Sequence, residues 1–181
     1  GSVQVQASSS NSDAGLGGSV ATATITVNVV ADTPGVTNTS TIRNTQTTLG
    51  LVITKNAVDG SEVGFFKITG ITNGTLFQND GTTAIANNTF ITVAQGNAGL
   101  KFTPTTNFTG TGSFDVQASL SNSDAGLGGS VVTATINVSA VAQTPTVTNA
   151  TTNEDTQTTT GLVIANNPGD GGTTTHYKIT N

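Results

Sequence analysis

Apolar and polar residues alternate with a period of two along most of this 181-residue chain. Val132, Ala134, Ile136 and Val138 interleave with Thr133, Thr135, Asn137 and Ser139. Ala21, Ala23, Ile25, Val27 and Val29 interleave in the same way with Thr22, Thr24, Thr26 and Asn28. Phe114, Val116 and Ala118 alternate with Asp115, Gln117 and Ser119, while Leu100 and Phe102 flank Lys101, and Phe66 and Ile68 flank Lys67. Successive side chains of a strand point to opposite faces, so each run predicts a strand with one buried and one wet face, the antiparallel pattern. Turn residues punctuate the runs. Asn79-Asp80-Gly81 follows Thr75–Gln78 and predicts a hairpin or tight turn before a strand near Phe90–Val93. Asn73-Gly74, Asp59-Gly60 and Gly17-Gly18 mark further turns. No stretch carries a sustained 3.6-residue apolar period with caps, so no helix is predicted. Phe65, Phe66, Phe77, Phe90, Phe102, Phe108 and Phe114 cluster in the middle of the chain and are assigned mainly to a core.

The strand pattern repeats. Ser10–Val20 reads SNSDAGLGGSV, and the same eleven residues return at Ser121–Val131, an offset of 111. That offset also carries Thr45-Gln46-Thr47-Thr48 onto Thr156-Gln157-Thr158-Thr159 and Gly50–Ile53 onto Gly161–Ile164. Over the 70 positions that can be compared, 44 are identical without a gap. A long ungapped repeat of this kind signals a tandem array of one structural unit. The expected boundaries are the Thr-Pro steps Thr33-Pro34 and Thr144-Pro145, because proline cannot continue a sheet ladder. Residues 1–31 are then the closing strands of one repeat, 32–142 a complete repeat, and 143–181 the opening strands of a third. A unit of about 110 residues with roughly seven to nine short strands fits an immunoglobulin-like sandwich. The expected fold is therefore all-β: tandem antiparallel β-sandwiches with a repeat length of 111 residues.

Composition narrows the function. Only 8% of residues are charged, with five Lys and Arg against ten Asp and Glu and a net charge of -5. Nucleic-acid binding needs clustered basic side chains, so nucleic acid is excluded as a partner, and so is an anionic membrane surface. No apolar run approaches the length of a membrane span. Cys, Met and Trp are absent, which removes disulfides and thiol chemistry. Thr is the most abundant residue, and its branched, stiff side chain suits a pleated surface.

The pattern Leu100, Phe102-Thr103-Pro104, Asn107-Phe108, Gly110, Gly112-Ser113-Phe114 and Val116 resembles the signature of bacterial cadherin-like tandem repeats. Val147-Thr148-Asn149 through Asn153-Glu154-Asp155-Thr156 resembles the opening strand of the same modules. The resemblance spans the 111-residue unit. It implies sandwiches strung end to end in long cell-surface proteins and adhesins, with calcium near the junctions. Asp124, Glu154, Asp155 and Asp170 are the calcium candidates, since a hard cation needs several oxygens converging on one point. The acidic pair Glu154-Asp155 is replaced by Arg43-Asn44 one repeat earlier, whereas Asp13/Asp124 and Asp59/Asp170 persist and also suit turns.

Asn38, Asn73, Asn87, Asn107, Asn137 and Asn149 each begin an Asn-x-Ser/Thr triplet and are candidate glycan acceptors. Chance matches are expected in a chain this rich in Asn and Thr. Catalysis is not expected. The single His, His176, stands where the earlier repeat has Phe65, and Asp13-x-Gly15-x-Gly17-Gly18 opens a strand rather than the helix that a phosphate cradle requires. Identical copies in series add length and avidity rather than chemistry. The expected role is a structural module of a long extracellular fibre or adhesin stalk, with neighbouring repeats or like chains as partners. The alternatives are a glycan- or partner-binding module and a filament subunit joined to the next by inter-chain strand complementation.

Overall fold

The computed structural model describes residues 1–170 and 172–180. It is mostly β and divides into two compact units, Gly1–Val30 and Ala31–Asn181.

Gly1–Val30 is an antiparallel hairpin of β1 (Ser2–Ser8) and β2 (Leu16–Thr24), pairing Ser2 with Thr24 and Val5 with Ala21. The register shifts at a bulge between Val5 and Ala7. The connection holds a 3-10 turn at Asp13–Gly15 and is tied by the Ser8 hydroxyl, which donates to the Ser10 carbonyl at 2.7 Å. Gly15 is required here, because a Cβ would lie 2.6 Å from the Ser10 backbone nitrogen. The apolar face of the hairpin is open: Val5 is 61% and Ile25 55% exposed.

Ala31–Asn181 contains β3 (Gly35–Val36), β4 (Thr39–Ile42), β5 (Ile53–Thr54), β6 (Phe65–Thr72), β7 (Gly74–Phe77), β8 (Ala84–Ile85), β9 (Thr89–Thr92), α1 (Val93–Asn97), β10 (Lys101–Pro104), β11 (Gly110–Ser119), β12 (Leu127–Ser139), β13 (Thr146–Val147) and β14 (Ile164–Ala165). A five-stranded sheet runs β4-β12-β11-β6-β9, and a three-stranded sheet runs β10-β7-β8. β3 pairs with β5, and β13 with β14. Every pairing is antiparallel except β12–β4, which is parallel and matches Ile136 with Thr39 and Ser139 with Ile42.

Alternation does what the sequence predicts. Phe114, Val116, Ala118, Ala134, Ile136 and Val138 turn inward from β11 and β12, and Phe66 and Ile68 from β6. Leu76, Ile85 and Phe102 of the three-stranded sheet join them in one cluster. Burying a large apolar side chain contributes about 1.5–3 kcal/mol. Phe66, Phe102 and Phe114 are fully buried, while Phe65, Phe77, Phe90 and Phe108 are partly buried around them. The Phe102 ring occupies room left by two glycines: a Cβ on Gly74 or Gly112 would approach it to 2.3 or 2.7 Å.

Two local readings change. The strand near Phe90–Val93 ends at Thr92, and Val93 begins α1. Thr92 and Gln95 form a capping box, the Thr hydroxyl accepting from the Gln95 N–H while the Gln95 side chain accepts from the Thr92 N–H. Five residues are too few to show a 3.6-residue period, which is why the pattern concealed the helix. Asn79-Asp80-Gly81 does turn the chain, but between β7 and the short β8.

Within that turn, Asp80 Oδ1 accepts the N–H groups of Thr82 (2.9 Å) and Thr83 (2.8 Å), and the Thr83 hydroxyl donates to Oδ2. The Thr83 hydroxyl bond and then the backbone bonds hold the carboxyl at about 2, below the ordinary 3.8. An Asp depressed in the fold favours folding fully above its unfolded pKa, and that contribution disappears as pH falls through about 2. NMR titration of the Asp80 carboxyl will show a midpoint near 2, and Thr83→Val will move it toward 3.8. A midpoint near 3.8 in the unmodified chain would refute this turn geometry.

Positions 111 apart share local geometry but not burial. β13 and β14 stand 111 residues after β3 and β5, and Asn167 Nδ2 donates to the Thr144 carbonyl (3.2 Å) as Asn56 Nδ2 does to that of Thr33 (3.1 Å). Yet Ile136 is 0% exposed and Ile25 55%. Turns and hairpins are made by neighbours in sequence. Burial depends on partners supplied by distant strands, and the hairpin β1–β2 has none of them within its own unit.

Candidate functional site

The feature that most clearly joins separate stretches of chain is a buried ion pair in the Ala31–Asn181 unit. β4 runs parallel to the end of β12, and the Arg43 N–H extends that ladder by donating to the Ser139 carbonyl at 2.9 Å. This directs the Arg43 side chain across the exit of β12, where Nη2 donates to the Val141 carbonyl at 2.8 Å. Nη2 also lies 3.5 Å from Asp170 Oδ1, and both side chains are 1% exposed.

Asp170 is placed from the other side. It ends the 3-10 turn Pro168–Asp170, which is set by Asn167: its carbonyl accepts the Asp170 N–H (2.9 Å) and its Oδ1 accepts that of Gly169 (2.9 Å). Asp170 Oδ1 then accepts the Gln143 N–H at 2.6 Å, and Oδ2 accepts the Thr174 hydroxyl at 2.7 Å. One carboxylate thus gathers the end of β4, the segment after β12 and the loop beyond β14. A charge removed from water is tolerated only when paired and hydrogen-bonded, and Asp170 has both. The same device stands 111 residues earlier, where Asp59 Oδ1 accepts the Asp32 N–H at 3.0 Å. There Oδ2 is buried without a hydrogen-bond partner.

The four calcium candidates fall in different surroundings. Asp170 faces the Arg43 guanidinium, which supplies the cation at that carboxylate. Asp124 opens the 3-10 turn Asp124–Gly126 and pairs with Lys67 at 2.7 Å, with its side chain 69% exposed. Glu154 and Asp155 lie exposed in a turn between β13 and β14, Asp155 with φ of 59°. Among the described residues no three or more His, Asp or Glu side chains gather into one group.

The glycan candidates are all exposed, and three hold backbone in place. Asn38 Oδ1 accepts the Thr135 N–H (2.8 Å), and Asn87 Oδ1 accepts that of Ile71 (2.9 Å). Asn73 Nδ2 donates to the Thr111 carbonyl (2.9 Å). Asn107 Oδ1 accepts from Asn44 Nδ2 at 3.1 Å. Asn137 faces outward on β12, and Asn149 follows β13. His176 is exposed, its Nδ1 2.8 Å from the Thr175 hydroxyl.

Sequence reasoning passed over Arg43, which differs between the two copies and whose partner is 127 residues away. The recurrence of Asp59 and Asp170 was visible, and that pair marked the position. Among the described residues, no helix is long and apolar enough to cross a membrane. Comparison with protein-family models, with curated proteins and with solved structures finds no match for this chain.

Proposed function

We propose that this chain is a structural repeat module of a long extracellular or cell-surface fibre or adhesin stalk, acting through reach and stiffness rather than catalysis. In this reading residues 32–142 form one cadherin-like or immunoglobulin-like β-sandwich, and residues 1–31 and 143–181 belong to the repeats on either side. The observation that carries it is the Arg43–Asp170 pair. It ties the body of one repeat to the opening loop of the next through a buried, directional contact, and a stalk needs each joint held at a set angle. The wet faces of the strands carry Thr and Asn rather than clustered charge or aromatic platforms, which suits a solvated shaft better than a recognition surface. Calcium is not needed at Asp170 in this reading, because the guanidinium already neutralises it.

The test is length. Proteins carrying one, two and three additional copies of residues 32–142, inserted in register, should appear by electron microscopy as rods. Each copy should add a constant increment of about 26–34 Å, the rise of strands of eight to ten residues. Globular or freely jointed particles would overturn the stalk reading.

A further inference from the structure

The chain leaves the five-stranded sheet and enters the three-stranded one through a single residue. β6 ends at Thr72 and β7 begins at Gly74, so Asn73 alone makes the crossover. Its backbone is left-handed, with φ of 60°, a conformation that asparagine adopts more readily than most non-glycine residues. Its Nδ2 donates to the Thr111 carbonyl at 2.9 Å, and its own carbonyl accepts the Thr105 N–H at 2.9 Å. The next position is fixed as glycine, because a Cβ on Gly74 would strike the Phe102 ring and the Thr103 carbonyl oxygen.

Packing has thus placed a chemically labile pair at the crossover. Asn73 is the only Asn of the sequence that is followed by Gly. With no Cβ beside it, the Gly74 nitrogen is the least hindered nucleophile that can follow an Asn side chain. When it attacks Asn73 Cγ, the N–Cγ bond forms, the Cγ–Nδ2 bond breaks, and Nδ2 leaves as ammonia with the proton of the Gly74 nitrogen. Water then opens the resulting succinimide at either carbonyl, leaving an aspartate or an isoaspartate at position 73. Asn73 is exposed, so water reaches it, and geometry is what holds the reaction back. Closing the ring turns the Asn73 side chain off Thr111 and onto the Gly74 nitrogen. Meanwhile the Asn73 carbonyl is tied to Thr105, and Gly74 lies against the fully buried Phe102 ring.

We propose that Asn73-Gly74 is a deamidation site that the folded body keeps closed and that unfolding opens, so that conversion records unfolding irreversibly. The crossover does not relax alone, because the strands it joins share one core: Ile68 of β6 and Leu76 of β7 are both fully buried in it. Either product weakens the fold it came from. Both replace the Nδ2 donor with a carboxylate oxygen, so the Thr111 carbonyl loses its partner and faces a negative charge instead. Isoaspartate also routes the main chain through the side-chain carbon, which lengthens a one-residue crossover by a methylene. A converted molecule therefore closes less firmly than before. This inference does not rest on the stalk reading, since it concerns the chemistry of one crossover.

The full chain, held at mildly alkaline pH in buffer and in urea, provides the test, with peptide mapping to follow aspartate and isoaspartate at position 73. Conversion should run at least about tenfold faster in denaturing urea than in buffer, because only the opened fraction reacts. Below the unfolding midpoint the rate should climb with urea in the unmodified chain. Ile136→Ala, which loosens the core away from the crossover, should raise the rate in buffer about thirtyfold or more. Returned to buffer, converted molecules should unfold at lower urea than unconverted molecules from the same sample. Asn73→Gln should release no ammonia from this position on the same timescale, since its longer side chain closes a six-membered ring far more slowly. Equal rates in buffer and urea, no conversion in urea, a rate indifferent to sub-denaturing urea and to Ile136→Ala, or converted molecules as stable as unconverted ones would each overturn the proposal.

Discussion

Ile136→Ala will lower the unfolding free energy of the Ala31–Asn181 unit by about 2–5 kcal/mol, whereas Ile25→Ala will change stability by less than about 0.5 kcal/mol. The two residues are the same amino acid at the same place in the repeat, 111 positions apart. Ile136 is fully buried among the core residues of both larger sheets, so truncation removes its transfer energy and leaves a cavity that a close-packed interior fills only in part. Ile25 is 55% exposed, so truncation removes little that the fold had gained. Urea denaturation of dilute protein, well below any self-association, measures both. Equal losses would mean that Ile25 is buried in the isolated molecule and would contradict the open hairpin face.

Breaking the Arg43–Asp170 pair will have the second large effect. Arg43→Ala leaves the Asp170 carboxylate buried without its cation, and Asp170→Ala leaves the guanidinium in the same position. Each should cost about 3–5 kcal/mol, because the stranded charge loses its partner but does not regain water. Replacing both with apolar residues, Arg43→Met with Asp170→Leu, should recover most of that loss. The Gln143 and Thr174 bonds to Asp170 go with its side chain, so recovery will be incomplete. Amide exchange will locate the damage: protection should fall at Gln143, which donates to Asp170, and persist at Val116 in the centre of the sheet. Single variants as stable as the double variant, with Gln143 still protected, would show that the pair does not hold this joint.

Much of the architecture was legible because a two-residue period is a local signal. The runs at Phe114–Ala118 and Val132–Val138 became β11 and β12 with their apolar sides inward. Thr47 shows where that legibility ends. It reads as one more polar residue in a Thr-rich loop, yet it is 2% exposed, its N–H donating to the Phe102 carbonyl and its hydroxyl accepting the Phe102 N–H, both at 2.9 Å. Its burial is decided by β10, 55 residues away, and no local pattern carries that information. The parallel pairing of β4 with β12 and the seat of Arg43 escaped for the same reason. The carboxylates chosen as cation ligands were chosen by type and by nearness to a boundary. Convergence of oxygens is a three-dimensional property that residue type and position along the chain do not state.

The parallel run of Thr39–Ile42 along Ile136–Ser139 has a mechanical consequence. Tension applied between the chain preceding β4 and the chain following β12 would draw β4 toward its N-terminus and β12 toward its C-terminus. Because the two strands run the same way, the load falls on their hydrogen bonds in shear, along the strand axis, and the bonds must yield together. Antiparallel strands pulled from the two ends at one side would peel apart one bond at a time. The closing pair of the five-stranded sheet is therefore set to resist a stretching force.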